Sequence, residues 1–230
     1  MKQSKLALTL DRVGVAYRIR EGLFRSRLFW ALQDVSFDVF YGETLGVIGR
    51  NGAGKSTLLR LLSGIIAPDK GKISTFDNRA SLLTLQAGFI PHLTGRENAI
   101  LSGMMLGMSR EQIMEKMSEI AEFAELGDFI DQPAWTYSTG MRVRLGFAVA
   151  VQADPDIILI DEVLGVGDRV FRRKTAQLMQ EKIQSDKTIV LVSHSLEMVR
   201  QLCDRVVWIE RGKVRMEGDP KTVLSAYTRA

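Results

Sequence analysis

The chain has 230 residues, 46% of them hydrophobic and 25% charged, with five prolines and one cysteine. That composition excludes a disordered or fibrous chain and allows a full hydrophobic core without covalent staples. The lone Cys203 permits no internal disulfide or cysteine-based metal cluster, which fits a reducing compartment, and a net charge of +4 is too small to imply a nucleic-acid partner. No apolar run reaches the roughly 18 residues a membrane span needs, and the N-terminus lacks a secretory apolar stretch, so a membrane role requires a partner.

In chain order, alternating residues predict antiparallel strands over Leu6–Tyr17 and Leu32–Phe40. Between them lies a stretch read as an insertion, in which Arg18, Arg20, Arg25 and Arg27 face Glu21 alone and alternate with Leu23, Phe24, Leu28, Phe29 and Trp30. It is either a solvated hairpin with its apolar residues tucked onto the sheet or a contact surface for a partner or lipid headgroups.

From Glu43 the pattern becomes buried strand, glycine loop, helix. The loop Gly49-Arg50-Asn51-Gly52-Ala53-Gly54-Lys55-Ser56, followed by Thr57, fits G-x-x-x-x-G-K-[ST] in the context that gives the pattern meaning. Glycines let successive N–H groups face one point, and the helix N-terminus adds roughly half a positive charge there, so a polyphosphate is the natural occupant. Lys55 can reach the β and γ phosphates and the Ser56 hydroxyl can ligate Mg²⁺.

Residues from about Thr94 to Gln132 are rich in helix formers, with Ile113, Met117, Ile120 and Ala121 at helical spacing, and with the helix that follows predict a helical subdomain over about 94–152 inserted in an α/β core. Beyond it come a helix over Ser138–Gln152, an apolar strand over Ile157–Ile160, a helix over Phe171–Gln184, a second apolar strand over Thr188–Val192 and a helix from Leu196. A hairpin turning at Arg211-Gly212 and a terminal helix end the chain. Wholly apolar strands alternating with helices imply a parallel sheet covered on both faces. Asp161-Glu162 follows one of them, at the edge where open α/β sheets bind ligands. There Asp161 would hold Mg²⁺ and Glu162 would act as general base on the attacking water.

Tyr137-Ser138-Thr139-Gly140-Met141 narrows the choice among P-loop proteins. It resembles the signature of ATP-binding cassette (ABC) proteins, usually L-S-G-G-Q, with Ser138 and Gly140 retained. Ser138 as N-cap and Gly140 as a close-approach position would set a helix N-terminus against a phosphate. In this family that phosphate belongs to ATP on a second copy of the chain, so the resemblance implies a homodimer with ATP and Mg²⁺ sandwiched between copies. Gly165-Val166-Gly167-Asp168 resembles the D-loop, His194 the switch histidine and Tyr17 the aromatic that stacks on adenine. Gln86 is either the Q-loop glutamine on the magnesium side or ordinary loop, since it lies about one residue closer to Leu93-Thr94 than the family's glutamine does.

The fuller run from Tyr137 to Ala150, together with Leu93-Thr94-Gly95-Arg96-Glu97-Asn98 and Asp161 to Phe171, is similar to the ATPases of polysaccharide exporters. The resemblance implies a P-loop NTPase of the ABC type: a mixed sheet core, an N-terminal antiparallel β part and a helical subdomain. It implies one nucleotide-binding domain over 1–230 without an added C-terminal carbohydrate-binding domain. It also implies ATP-driven export of lipid-linked O antigen, teichoic acid or capsule through a separate transmembrane subunit, at the cytoplasmic face of the plasma membrane. A non-transport ABC ATPase of translation or DNA repair is the competing expectation. Translation-type members carry two cassettes in one chain and repair-type members a long coiled coil, neither of which is visible in the sequence.

Overall fold

The computed structural model describes residues 5–20, 26–82, 89–161, 169–183 and 187–230. Two compact units emerge, the first Met1–Leu82, Asp156–Glu162 and Glu181–Ala230, the second Leu83–Pro155 and Val163–Gln180.

The first unit holds two sheets. β1 (Leu6–Arg20), β2 (Ser26–Phe40) and β4 (Lys70–Ser74) form an antiparallel sheet in the order β2-β1-β4. β3 (Thr44–Ile48), β5 (Ala80–Leu82), β6 (Ile157–Ile160), β7 (Thr188–Val192), β8 (Arg205–Glu210) and β9 (Lys213–Gly218) form the other, in the order β5-β6-β7-β3-β8-β9. All its pairings are parallel except β8–β9. Every residue of β3, β6 and β7 is buried, as expected of parallel strands covered on both faces.

α1 (Lys55–Leu62) buries Leu58, Leu59, Leu61 and Leu62 in the same core as Val13, Val35 and Val39 of the antiparallel sheet and Leu45, Val190 and Val207 of the parallel one. α7 (Leu196–Leu202) packs so closely on β3 that a Cβ on Gly46 would lie 2.9 Å from the Cys203 sulfur. Burial, with Asp204 adding to it, pushes the Cys203 thiol up to about 12, which makes it a small packing group rather than a nucleophile. α8 (Pro220–Arg229) starts on Asp219, whose carboxylate accepts from Thr222 N–H, and sets Tyr227 edge-on against Trp208.

Two features differ from the sequence expectations. The strands do not stop at Tyr17 or begin at Leu32: pairing continues through Arg18↔Leu28 and Ile19↔Arg27 to Arg20↔Ser26, so the described ends of the basic-aromatic stretch are strand. β4 and β5 were not anticipated. Lys70-Gly71-Lys72-Ile73-Ser74 has no buried residue to mark an inward face, and β5 has three residues, too few for a period.

The second unit is helical. α2 (Gly95–Met105) and α3 (Arg110–Glu115) each open with a reciprocal capping box, Thr94 with Glu97 and Ser109 with Gln112. α4 (Met117–Ala124), α5 (Thr139–Gln152) and α6 (Arg169–Ile183, to Gln180 within this unit) complete it. Ile113, Met117, Ile120, Leu145 and Val149 share its core. Phe123, Phe147 and Phe171 meet with centroids 5.8 to 5.9 Å apart and tie α4, α5 and α6 together. Asn98, 1% exposed, accepts from Ile90 N–H and donates to the carbonyls of Ile90, Leu93 and Thr94, fixing the turn ahead of α2.

Candidate functional site

The glycine loop leaves β3 and enters α1. Gly52 and Gly54 have φ of 76° and 110°, conformations that L side chains rarely adopt. A Cβ on Gly49 would lie 2.3 Å from the Ile209 carbonyl oxygen, and one on Gly54 2.6 Å from that of Ala31. The loop is therefore wedged between β8 and β2, and only glycine fits at either wall. The hairpin turn of β8–β9 completes the surround: Gly212 N–H donates to the Ala53 carbonyl at 3.0 Å, and Gln33 N–H to the Gly212 carbonyl at 2.7 Å.

α1 has no side-chain cap and no acid in its first turn, so its positive end is left to the loop. Lys55, 8% exposed, donates from Nζ to the carbonyls of Gly49 at 2.7 Å and Arg50 at 3.1 Å, holding its charge over the curled backbone. Arg50, Asn51, Gly52 and Ser56 are exposed, Thr57 half-buried and Ala53 buried. A fixed ammonium, an uncapped helix start and an exposed hydroxyl together fit a polyphosphate.

The sheet order brings further predicted residues to the same edge. β6, β7 and β3 are consecutive, with Ile160 level with Leu191 and Leu191 level with Gly46. Asp161, half-buried at the end of β6, is thus two inter-strand spacings, roughly 10 Å, across from the loop strand. Exposed His194 follows β7 between them, after the buried Ser193, whose hydroxyl accepts from Ser195 N–H. Tyr17 lies on β1 opposite Phe29 and is 38% exposed, a few residues along the ribbon from the Ala31 contact with Gly54. Glu162, Gln86 and Asp168 lie outside the described residues. Among the described residues no group of three His, Cys, Asp or Glu is placed to hold a metal alone. A groove of about 350 Å³ lined by Arg12, Trp30, Lys70 and Lys213 among others contains none of the predicted site residues.

In the second unit Ser138 is the N-cap of α5, accepting from Met141 N–H at 3.1 Å, with Ser138 and Thr139 exposed and Gly140 and Met141 half-buried. A Cβ on Gly140 would meet nothing closer than the Ser138 hydroxyl at 3.7 Å. No acid balances the helix dipole in this first turn.

The sequence reading overlooked how Tyr137 is seated. A Cβ on Gly95 would fall 2.0 Å from the Tyr137 hydroxyl, which donates to the Phe129 carbonyl at 2.5 Å. Burial raises the Tyr137 pKa, so the ring stays neutral. The glycine at the start of α2 and the tyrosine ahead of α5 are two halves of one packing arrangement. Nothing in the sequence around Gly95 signals it, because its packing partner lies 42 positions away.

Comparison with known proteins follows the same lines. The ABC transporter family pattern matches residues 32–165. The chain is 46% identical over 208 residues to the O-antigen export system ATP-binding protein RfbB of Klebsiella pneumoniae, covering 90% of this chain and 85% of that one. It is 47% identical over 212 residues to the teichoic acids export ATP-binding protein TagH of Listeria innocua, covering 90% of this chain but 63% of that one. The dimeric post-hydrolysis structure of the ATP-binding cassette MJ0796 bound to ADP and Pi superposes with a TM-score of 0.74 at 26% identity, over 93% of this chain and 98% of that one. No described helix is long and apolar enough to cross a membrane. With the loop of Lys55, the strand leading into Asp161 and the helix capped by Ser138 all inside the matched residues, the chain belongs to the ABC transporter family and has the fold of its ATP-binding cassette.

Proposed function

We propose that this chain is the ATP-hydrolysing subunit of an ABC exporter, driving a lipid-linked polysaccharide of the O-antigen, teichoic-acid or capsule class through a separate transmembrane subunit. The observation that carries the ATPase reading is the buried Lys55 ammonium over an uncapped helix start, on a sheet edge shared with Asp161 and His194. The polymer class is supported by the relatives named for O-antigen and teichoic-acid export. We read residues 1–230 as one nucleotide-binding domain with its helical part inserted at about 94–152, working peripherally at the cytoplasmic face of the membrane.

In this reading the N–H groups from Gly52 to Thr57 and the Lys55 ammonium bind the β and γ phosphates, and Tyr17 stacks on adenine. Ser56 and Asp161, with Gln86, would hold Mg²⁺, which would supply charge neutralisation to the phosphates. Glu162 accepts the proton of the attacking water, and His194 orients the γ phosphate from the neighbouring strand. Ser138, Thr139, Gly140 and Met141 of a second copy close over the same phosphate, with Asp168 near the junction. ATP binding thereby favours the paired state and hydrolysis releases it.

Mixed dimers test this arrangement. Pairing a Gly140→Asp chain with a Lys55→Ala chain places both lesions in one composite site and leaves the other intact, so one nucleotide should be retained per dimer. Loss of both nucleotides would defeat the sandwich. Depleting the chain while keeping the membrane subunit should leave polymer on its lipid carrier inside the cell; undiminished surface polymer would defeat the export assignment.

A further inference from the structure

Beyond Tyr17 the β1–β2 ribbon carries none of the residues proposed for the nucleotide site. β4 pairs with β1 only as far as Gly14↔Lys70, so beyond that point the described ribbon is two-stranded. A two-stranded ribbon offers little burial, yet this one keeps large apolar side chains in water: Ile19 is 45% exposed, Leu28 56% and Phe29 41%. Between them stand exposed Arg18, Arg20 and Arg27, and the sequence from Arg18 to Trp30 holds four arginines against one acid.

Cross-strand partners share a face, which fixes how these groups are distributed. Ile19 with Arg27 lies on one face and Arg18 with Leu28 on the other. Both faces therefore carry an apolar group beside an arginine. A flat protein surface docking on the ribbon would cover one face and leave the other in water. The interfacial zone of a bilayer meets both faces at once, taking the apolar groups toward the acyl chains and the guanidinium forks onto phosphates. That every cation here is arginine rather than lysine suits phosphate recognition.

We propose that residues 18–20 and 26–29 form a membrane-contact element that binds the phosphates of anionic lipid headgroups and inserts its apolar side chains among them. This extends the exporter-subunit reading and rests on it for its place in the cell, but it is tested without ATP.

The test is cosedimentation of the full chain with vesicles of phosphatidylcholine and phosphatidylglycerol in equal amounts, against vesicles of phosphatidylcholine alone. The chain should bind the anionic vesicles, lose them at high salt and bind the neutral ones weakly. Arg18→Glu with Arg20→Glu should weaken anionic binding by at least about tenfold, since each basic side chain at such a surface contributes roughly fivefold. In a separate Leu28→Trp chain, anionic vesicles should shift the added indole emission to the blue. Equal sedimentation of wild type and the double variant, or no emission shift, overturns the proposal. So does retention by the transmembrane partner through Arg18 and Arg20 without affinity for either vesicle, which would give the ribbon to a protein. A chain that binds vesicles but never hydrolyses ATP would sink the ATPase reading and leave this one standing; a hydrolysing chain indifferent to lipid would do the reverse.

Discussion

The glycines of the phosphate loop and the glycine of the signature turn are both small residues at a helix start, but their surroundings are opposite. Gly49 and Gly54 are hemmed in by the backbone oxygens of Ile209 and Ala31, and Gly54 also has φ of 110°. Gly140 faces ordinary contact distances in a helical turn, where glycine costs about 1 kcal/mol relative to alanine. The chain's own packing demands the first two and leaves the third unexplained. On the proposed reading, Gly140 is small for the benefit of the second copy's phosphate that approaches α5 from outside.

The largest effect expected on either side is chemical. Glu162→Gln should leave nucleotide binding intact while turnover falls by a factor on the order of 10² to 10⁴, and ATP should accumulate in a closed dimer. Steady-state hydrolysis at the wild-type rate would move the base elsewhere. Lys55→Ala should act earlier, lowering ATP affinity in equilibrium binding because the β and γ phosphates lose their fixed charge. Normal affinity and turnover would remove the phosphate assignment.

Glycine substitutions then separate the two regions directly. Gly54→Ala should destabilise the fold by about 2–4 kcal/mol in denaturant titration, through both the clash and the disallowed φ. Gly140→Ala should leave stability unchanged or raise it by up to about 1 kcal/mol. Gly140→Asp should also fold, yet abolish ATP-driven pairing when tested in the Glu162→Gln background. If Gly140→Asp pairs normally, the outside-approach explanation fails.

A smaller effect sharpens the contrast within the helical unit. Gly95→Ala should cost about 1–3 kcal/mol because Tyr137 has to move, and Tyr137→Leu should recover part of that loss. Additive losses in the double mutant would dissolve the coupling. The smallest effect is on pH dependence. Asp131, hydrogen-bonded by the Arg96 guanidinium at 2.7 and 3.0 Å, has its pKa lowered, so its contribution is present above the ordinary carboxylate range and fades as pH falls through the depressed value. Asp131→Asn should slightly flatten the acid limb of the stability profile, and an unchanged limb would show that the pair contributes nothing.

These contrasts also explain what could be read from the residues alone. The P-loop and the buried strands were legible because each is a local pattern, an apolar run or a glycine spacing, read within ten residues. Ser138 was legible as the cap of a helix ending at Gln152 for the same reason. β4 and β5 were not, because their strand character comes from partners, Thr9–Gly14 for one and Ile157–Leu159 for the other. The same holds for the continuation of β1 and β2 through the arginines, and for the Gly95–Tyr137 packing, which no periodicity encodes across 42 positions.

The junction at Ala31, Gln33, Ala53 and Gly212 is made almost wholly of main chain: two N–H···O=C bonds and a carbonyl pressed against two glycines. Such a junction depends little on the half-buried side chain of Gln33, but it needs small buried residues at Ala31 and Ala53 and it counts residues. One residue added or removed between Trp30 and Val35, or within the Arg211-Gly212 turn, would slide the carbonyls out of register with the phosphate loop. Length should therefore be held in these two short stretches as strictly as the glycine at 212, whose φ of 76° and closeness to the Ala31 carbonyl admit no side chain.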